Sequence, residues 1–284
     1  MDIHWYPGHM TKARRLMEAQ LKAIDVVIEV VDARIPCSSR NPDLDDLFGR
    51  KRRLVLLNKA DLADENATRA WVAYFTQKGW QCFATTATQK DARKQIVAGI
   101  DRVMKAEVLR LLEKKGLHKT VRAMIVGIPN VGKSAIINCL APTAVAKTGN
   151  RPGVTRGNQL IRVTPYLELV DTPGVLWPKI VDPVWARHLA YVGSMRDPIL
   201  DIYGLSLQFL EEMAATHPEA IKTRYKLDAL PERPEDMLFA IGKARGLLRT
   251  GGQIDEERAS MMVLTEFRSG KWGRITLEMP EDIL

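Results

Sequence analysis

Gly127-Ile128-Pro129-Asn130-Val131-Gly132-Lys133-Ser134 has the spacing of a phosphate-binding loop: a glycine, four residues, then Gly-Lys-Ser. In such a loop the backbone amides wrap phosphate oxygens, and the helix that follows aims the positive end of its dipole at them. Lys133 would neutralise the β- and γ-phosphates and Ser134 would ligate magnesium, while Asn130, Val131, Gly132 and Ala135 line the rest of the cradle. Downstream lies Asp171-Thr172-Pro173-Gly174. Asp171 would hold the same magnesium through water, and the Gly174 amide would bind the γ-phosphate. Between the two, in Arg151-Pro152-Gly153-Val154-Thr155-Arg156-Gly157, stands Thr155. It could bind magnesium while a γ-phosphate is present and let go afterwards, in a Gly- and Pro-rich loop that orders on binding. The plain alternative is an exposed loop threonine.

Asn58-Lys59-Ala60-Asp61 is a base reader by its chemistry. The Asp61 carboxylate would accept hydrogen bonds from N1 and N2 of guanine. Adenine has no N2 amine and an unprotonated N1, so it would leave that carboxylate unpaired. Asn58 would order the loop, and the Lys59 stem would cover the base. One helix further on, Thr86-Ala87-Thr88 would place the Ala87 amide, with Thr86 beside it, near the guanine O6. These motifs imply GTP or GDP with magnesium as the ligand.

The elements that must carry these loops are short apolar runs. Ile24 to Val31, Leu54 to Leu57, Trp80 to Ala84, Ala123 to Val126 and Leu167 to Val170 read as strands. Asp64 to Gln77 and Lys90 to Leu112 read as helices. Their alternation predicts an α/β fold, a mostly parallel sheet with helices on both faces. Beyond Trp177 and Pro178 the pattern turns helical, with a strand-like run only at Arg274 to Leu277. Pro234 starts one helix, and Asp255 caps another that stops at Gly270. The expected division is 1–178 for the nucleotide domain and 179–284 for a small all-helical domain.

Composition sets outer limits. The 284 residues carry a net charge of +8 and 27% charged residues, which argues against wholesale disorder. No apolar run approaches the ~18 residues of a membrane helix, and MDIHWYPGHM lacks a signal-peptide core. Three scattered cysteines suit a reduced, cytoplasmic setting. From Lys114 to Leu167 there are nine Lys and Arg and no Asp or Glu, a candidate anion-binding surface or a solvated basic face. The run Arg50 to Arg53 reads as a solvated loop. Lys243, Arg245 and Arg249, and Arg268, Lys271 and Arg274, are further cation clusters able to meet an anionic partner.

The order of motifs is base, phosphate, switch, whereas ordinary small GTPases place the base motif last. The chain resembles the circularly permuted P-loop GTPases, and among them the YlqF/RbgA family, ribosome biogenesis GTPase A. Trp5-Tyr6-Pro7-Gly8-His9-Met10, Asp32-Ala33-Arg34-Ile35-Pro36, Asn41-Pro42, Asp171 to Pro178 and Gly273-Arg274-Ile275-Thr276 carry the resemblance over nearly the whole length. It implies a GTPase that acts late in maturation of the large (50S) ribosomal subunit. It further implies a helical domain that contacts ribosomal RNA and hydrolysis stimulated by the ribosomal particle. A monomer binding neither DNA nor membrane is the expectation.

Val175 follows Gly174, where many small GTPases carry a water-orienting glutamine. The resemblance offers His9 for that task; beside Trp5 and Tyr6 it could instead be a packing residue. Asn130 occupies the position of a potassium ligand in potassium-stimulated GTPases, or simply stabilises the loop. The alternatives are a GTPase module driving RNA processing or modification, a nucleotide kinase, and an RNA-binding protein with a degenerate site. The first lacks a visible second catalytic domain. The kinase needs no guanine reader, and intact Lys133, Ser134 and Asp171 disfavour the third.

Overall fold

The computed structural model describes residues 17–49, 51–115, 119–141, 160–172, 180, 182–195, 201–249 and 251–283. The chain divides into two compact units, one of Met1–Asp182 with Thr276–Leu284 and one of Pro183–Ile275.

The first unit is built on a six-stranded sheet. Its strands are β1 (Val26–Asp32), β2 (Arg52–Asn58), β3 (Gln81–Ala84), β4 (Val121–Val126), β5 (Leu160–Thr164) and β6 (Leu167–Asp171), in the order β3-β2-β1-β4-β6-β5. Every neighbouring pair is parallel except β5–β6. β1 sits at the centre, and all seven of its residues are buried, as expected of a strand covered on both faces. The helices are α1 (Asp43–Phe48), α2 (Glu65–Gln77), α3 (Ala92–Lys115) and α4 (Lys133–Leu140). α2 starts where Asp64 accepts a hydrogen bond from the Ala67 amide, and it buries Ala67, Trp71 and Phe75 at helical spacing. Trp71 and Phe75 pack with Val31, Val55, Leu57 and Cys82, while a separate cluster gathers Met17, Leu21, Ile24, Val27, Phe48 and Met124.

Three readings of the sequence need correction. β5 lacks the long apolar run of a central strand, because as an edge hairpin strand it alternates exposed and buried residues. The basic run ending at Arg53 is not a solvated loop. Arg52 and Arg53 open β2, and Arg53 is buried against Glu29 and Asp45. Arg40 reaches the same two acids, at 3.0 Å from Glu29 and 2.7 Å from Asp45, and both guanidinium groups lie within 4.5 Å of the Trp80 ring centroid. Two arginines compensate a buried carboxylate and stack on an aromatic face. Third, Arg274 to Leu277 forms no strand.

Residues 276–278 instead brace the loop after β1. Leu277 N donates to Arg34 O at 2.8 Å, and Thr276 Oγ1 donates to Ala33 O at 3.3 Å while accepting from Asp64 N at 3.1 Å. The Glu278 carboxylate accepts from Cys37 N at 2.7 Å, Ser38 N at 3.1 Å and the Ser38 hydroxyl. Its backbone carbonyl accepts from Trp71 Nε1 at 2.8 Å.

The second unit holds α5 (Pro183–Tyr191), α6 (Ile202–Thr216), α7 (Pro218–Tyr225), α8 (Pro234–Ala244) and α9 (Glu256–Arg268). Asp255 caps α9 as its sequence position implies, accepting from Arg258 N. The core is aromatic: Phe209 contacts Tyr191, Phe267 and Trp272 with centroids about 5 Å apart. Several cations serve this fold. Arg268 donates to the Tyr191 and Ala190 carbonyls at the end of α5, Arg249 pairs with Asp255, and Arg245 reaches Arg224 O and the Tyr225 ring. No helix among the described residues is long and apolar enough to cross a membrane.

Glu278→Ala should strip three donors of a buried acceptor and lower stability by about 2–3 kcal/mol, read as a fall in the urea midpoint at unchanged slope. A midpoint equal to that of the parent would show that the bracing carries no free energy.

Candidate functional site

The parallel strands bring Asp32, Asn58, Ala84, Val126 and Asp171 to one edge of the sheet. In an open parallel sheet the ligand crevice lies at the carboxyl ends, where successive connections diverge. Here the chain leaves β1 towards β2 and β3, and leaves β4 towards β6, so the divergence falls between β1 and β4.

The phosphate loop follows β4. Gly127 has φ +152°, and a Cβ there would strike the Val30 carbonyl oxygen of β1. Gly132 has φ +99° and forms the N-cap of α4; a Cβ there would strike the Asn58 amide. Asn130 also adopts the left-handed region, at φ 62°. Lys133 is buried, and its Nζ donates to the Gly127 and Ile128 carbonyls, each at 2.9 Å. Ser134 and Ala135 occupy the first turn of α4. Beside them Asp171 is in register with Ile125, and the Thr172 hydroxyl donates to Ile125 O at 2.7 Å.

Across the crevice, Asn58 links two loops. Its Nδ2 donates to Val131 O at 2.8 Å, and its Oδ1 accepts from Ala87 N at 3.2 Å. The Thr86 hydroxyl accepts from Asp61 N and donates to Asp61 Oδ1, both at 3.2 Å. Asn58 thus joins the loop assigned to the phosphates with the two loops assigned to the base. Lys59 has φ 60°, and its Nζ donates to Asp32 Oδ2 at 2.8 Å. Asp32 and Arg34 entered the sequence reading only as part of a motif; an acid at a strand end with arginine two residues on was the available signal. Burial disfavours the Asp32 charge, but the Arg34 guanidinium and Lys59 ammonium outweigh it and hold the carboxyl well below the usual carboxylate range.

His9, Thr155 and Gly174 lie outside the described residues, as do residues 116–118 and 142–159 of the acid-free basic stretch and the Asp171 side chain.

Known proteins match this arrangement along its whole length. The chain is 47% identical over 282 residues to ribosome biogenesis GTPase A of Bacillus cereus, covering 99% of this chain and 95% of the relative. The protein of that name from Thermotoga maritima is 33% identical, covering 99% and 96%. The chain belongs to the ribosome biogenesis GTPase A family. The profile of the family described as 50S ribosome-binding GTPase matches residues 122–214. A GNP-bound YlqF from Thermotoga maritima superposes with TM-score 0.65 at 30% identity, over 95% of this chain and 99% of that one. A GDP-bound YlqF gives 0.66 at 31%, over 94% and 100%. Like the rest of the ribosome biogenesis GTPase A family, this chain is a GTP hydrolase with guanine nucleotides as ligands. Its fold is the circularly permuted GTPase domain followed by a helical region.

Asn58→Ala should leave Val131 O and Ala87 N–H unpartnered and cost about 1–3 kcal/mol, with GDP affinity by calorimetry falling in step; unchanged affinity would show the two loops to be set independently. A pH dependence follows from Asp32. The free side chain titrates near 3.9 and the folded one lower, so its contribution is complete above about pH 4 and is lost as pH falls through the folded value. The stability advantage of the parent over Asp32→Asn should therefore narrow below about pH 4, in urea melts across pH 3 to 6; a gap constant with pH would contradict the assignment.

Proposed function

We propose that this GTPase is an assembly factor acting late in maturation of the large (50S) ribosomal subunit, with its hydrolysis stimulated by the ribosomal particle. The observation that carries this reading is the 47% identity to ribosome biogenesis GTPase A over 99% of the chain. Residues 1–178 form the GTPase domain in this reading, with Thr276–Leu284 grouped with it, and the helical residues between meet ribosomal RNA in the precursor particle. Lys243 and Lys271 are exposed cations suited to phosphate contacts, whereas Arg268 is engaged within its own fold. The protein acts as a cytoplasmic monomer with no DNA or membrane partner.

At the nucleotide, Asp61 reads guanine, Asn58 and Thr86 hold it in place, Lys59 covers the base and the Ala87 amide faces O6. The amides from Asn130 to Ala135 cradle the phosphates with Lys133. Ser134, Thr155 and Asp171 offer hydroxyl and carboxylate oxygens, the hard donors magnesium prefers. Magnesium would neutralise charge on the β- and γ-phosphates. The Asn130 amide oxygen, on its left-handed backbone, suits potassium. The Gly174 amide senses the γ-phosphate. Val175 and Leu176 cannot orient water, so intrinsic turnover is slow and His9 is the candidate that the particle brings into place. A partner can raise a GTPase rate by up to ~10⁵-fold.

Asp61→Asn should exchange the preference for GTP over ATP for one that admits xanthine nucleotide, measured by competition binding. The functional reading is tested by sedimentation with purified precursor particles. The chain should travel with large-subunit precursors when a non-hydrolysable GTP analogue is bound, and release steeply with salt. Equal sedimentation with small subunits would overturn the assignment. His9→Ala should cut the stimulated rate while GTP affinity stays put; full stimulation would make His9 a packing residue.

A further inference from the structure

The sheet order places β1 between β2, whose end carries Asn58 to Asp61, and β4, whose end carries the phosphate loop. A nucleoside read at Asp61 with phosphates at Lys133 must therefore cross the carboxyl end of β1. The residue waiting there is Asp32, in register with Asn58 and fully buried.

Its four contacts fix it. Oδ1 accepts from Arg34 N at 3.1 Å and Arg34 Nε at 2.9 Å; Oδ2 accepts from Arg34 Nη2 and Lys59 Nζ, each at 2.8 Å. Asp32 N donates to Ser39 Oγ at 2.9 Å, and Arg34 O is held by Leu277 N. The carboxylate therefore has no room to follow a moving partner. Lys59 is the accessible member of this group, with 24% of its side chain exposed against 1% for Asp32 and 1% for Arg34. Its backbone is held in the left-handed region at one end, and its ammonium is held at the other. The methylene stem between thus runs from the end of β2 to the carboxylate at the end of β1.

We propose that Asp32 is a positioning residue for nucleotide binding: by anchoring the Lys59 ammonium it holds the lysine stem as a preformed platform for the nucleoside. This rests on the reading of Asn58 to Asp61 as the guanine loop. A lysine fixed at both ends has lost its rotamer freedom before the ligand arrives, so binding need not supply that ordering. One carboxylate among two cations also leaves the group net positive beneath a polyanionic ligand.

The test is a double-mutant cycle on the full chain, with GDP binding measured by calorimetry. Asp32→Asn and Lys59→Met should each weaken GDP by about 10–100-fold, the worth of an anchored charged contact. The double variant should bind no more weakly than the weaker single one, since both remove the same tether. Asp32→Glu, which keeps the charge, should recover part of the loss. Additive losses, or GDP affinity untouched in Asp32→Asn, would overturn the proposal. Should Asp32→Asn fail to fold, the cycle of Asp32→Glu with Lys59→Met decides by the same criterion. Asp61→Asn run in parallel separates the two levels. Undiminished GDP binding there overturns the guanine loop itself. Weakened binding there, with additive effects at Asp32 and Lys59, overturns the anchor alone.

Discussion

Parallel pairing of β1 with β2 on one side and β4 on the other is the constraint from which the site follows. Once Asp32 is in register with Asn58, and Val126 with Glu29, the loops that leave β2 and β4 open towards the same crevice. Each loop then has a short, fixed distance to cross, and one asparagine side chain spans it from Val131 O to Ala87 N. Permutation of the chain leaves this untouched, because strand pairing depends on neighbours in the sheet and not on the order of synthesis.

The placement of both motif loops at strand ends was readable from sequence. A glycine-flanked lysine after a β-rich run, and an Asn-Lys-x-Asp after another, each confine their meaning to a few residues and to the elements on either side. The strand assignments fell within two residues of the observed ends because central parallel strands are continuous apolar runs. What sequence left hidden was pairing at long range. Arg53 looks like any surface arginine until Glu29, Asp45 and Trp80 surround it. β5 was missed because an edge strand needs only one buried face. Glu278 carries no signature of its own, since its partners are backbone amides some 240 residues away.

Charge is divided between two tasks. Within the helical unit, Arg224 and Arg245 lie against Glu266, and Arg268 closes the carbonyl end of α5, where a cation also meets the negative end of the helix dipole. In the first unit Lys119 bridges Asp25 and Glu107, and Arg122 pairs with Glu168. A surplus of positive charge therefore overstates the surface free to meet nucleic acid. Counting arginines in the sequence cannot separate those that hold helices together from those that face a phosphate backbone.

The bracing of the loop after β1 has a consequence in time. Its hydrogen bonds join residues 207 to 243 apart in sequence, with all of Pro183–Ile275 between them. Contacts of such separation form late, after the loop entropy of everything between has been overcome. During synthesis the sheet and both nucleotide loops emerge long before Thr276 and Glu278 do. A growing chain can thus assemble the strands of its first unit, yet it gains the bracing of the loop after β1 only after the entire helical unit has been translated.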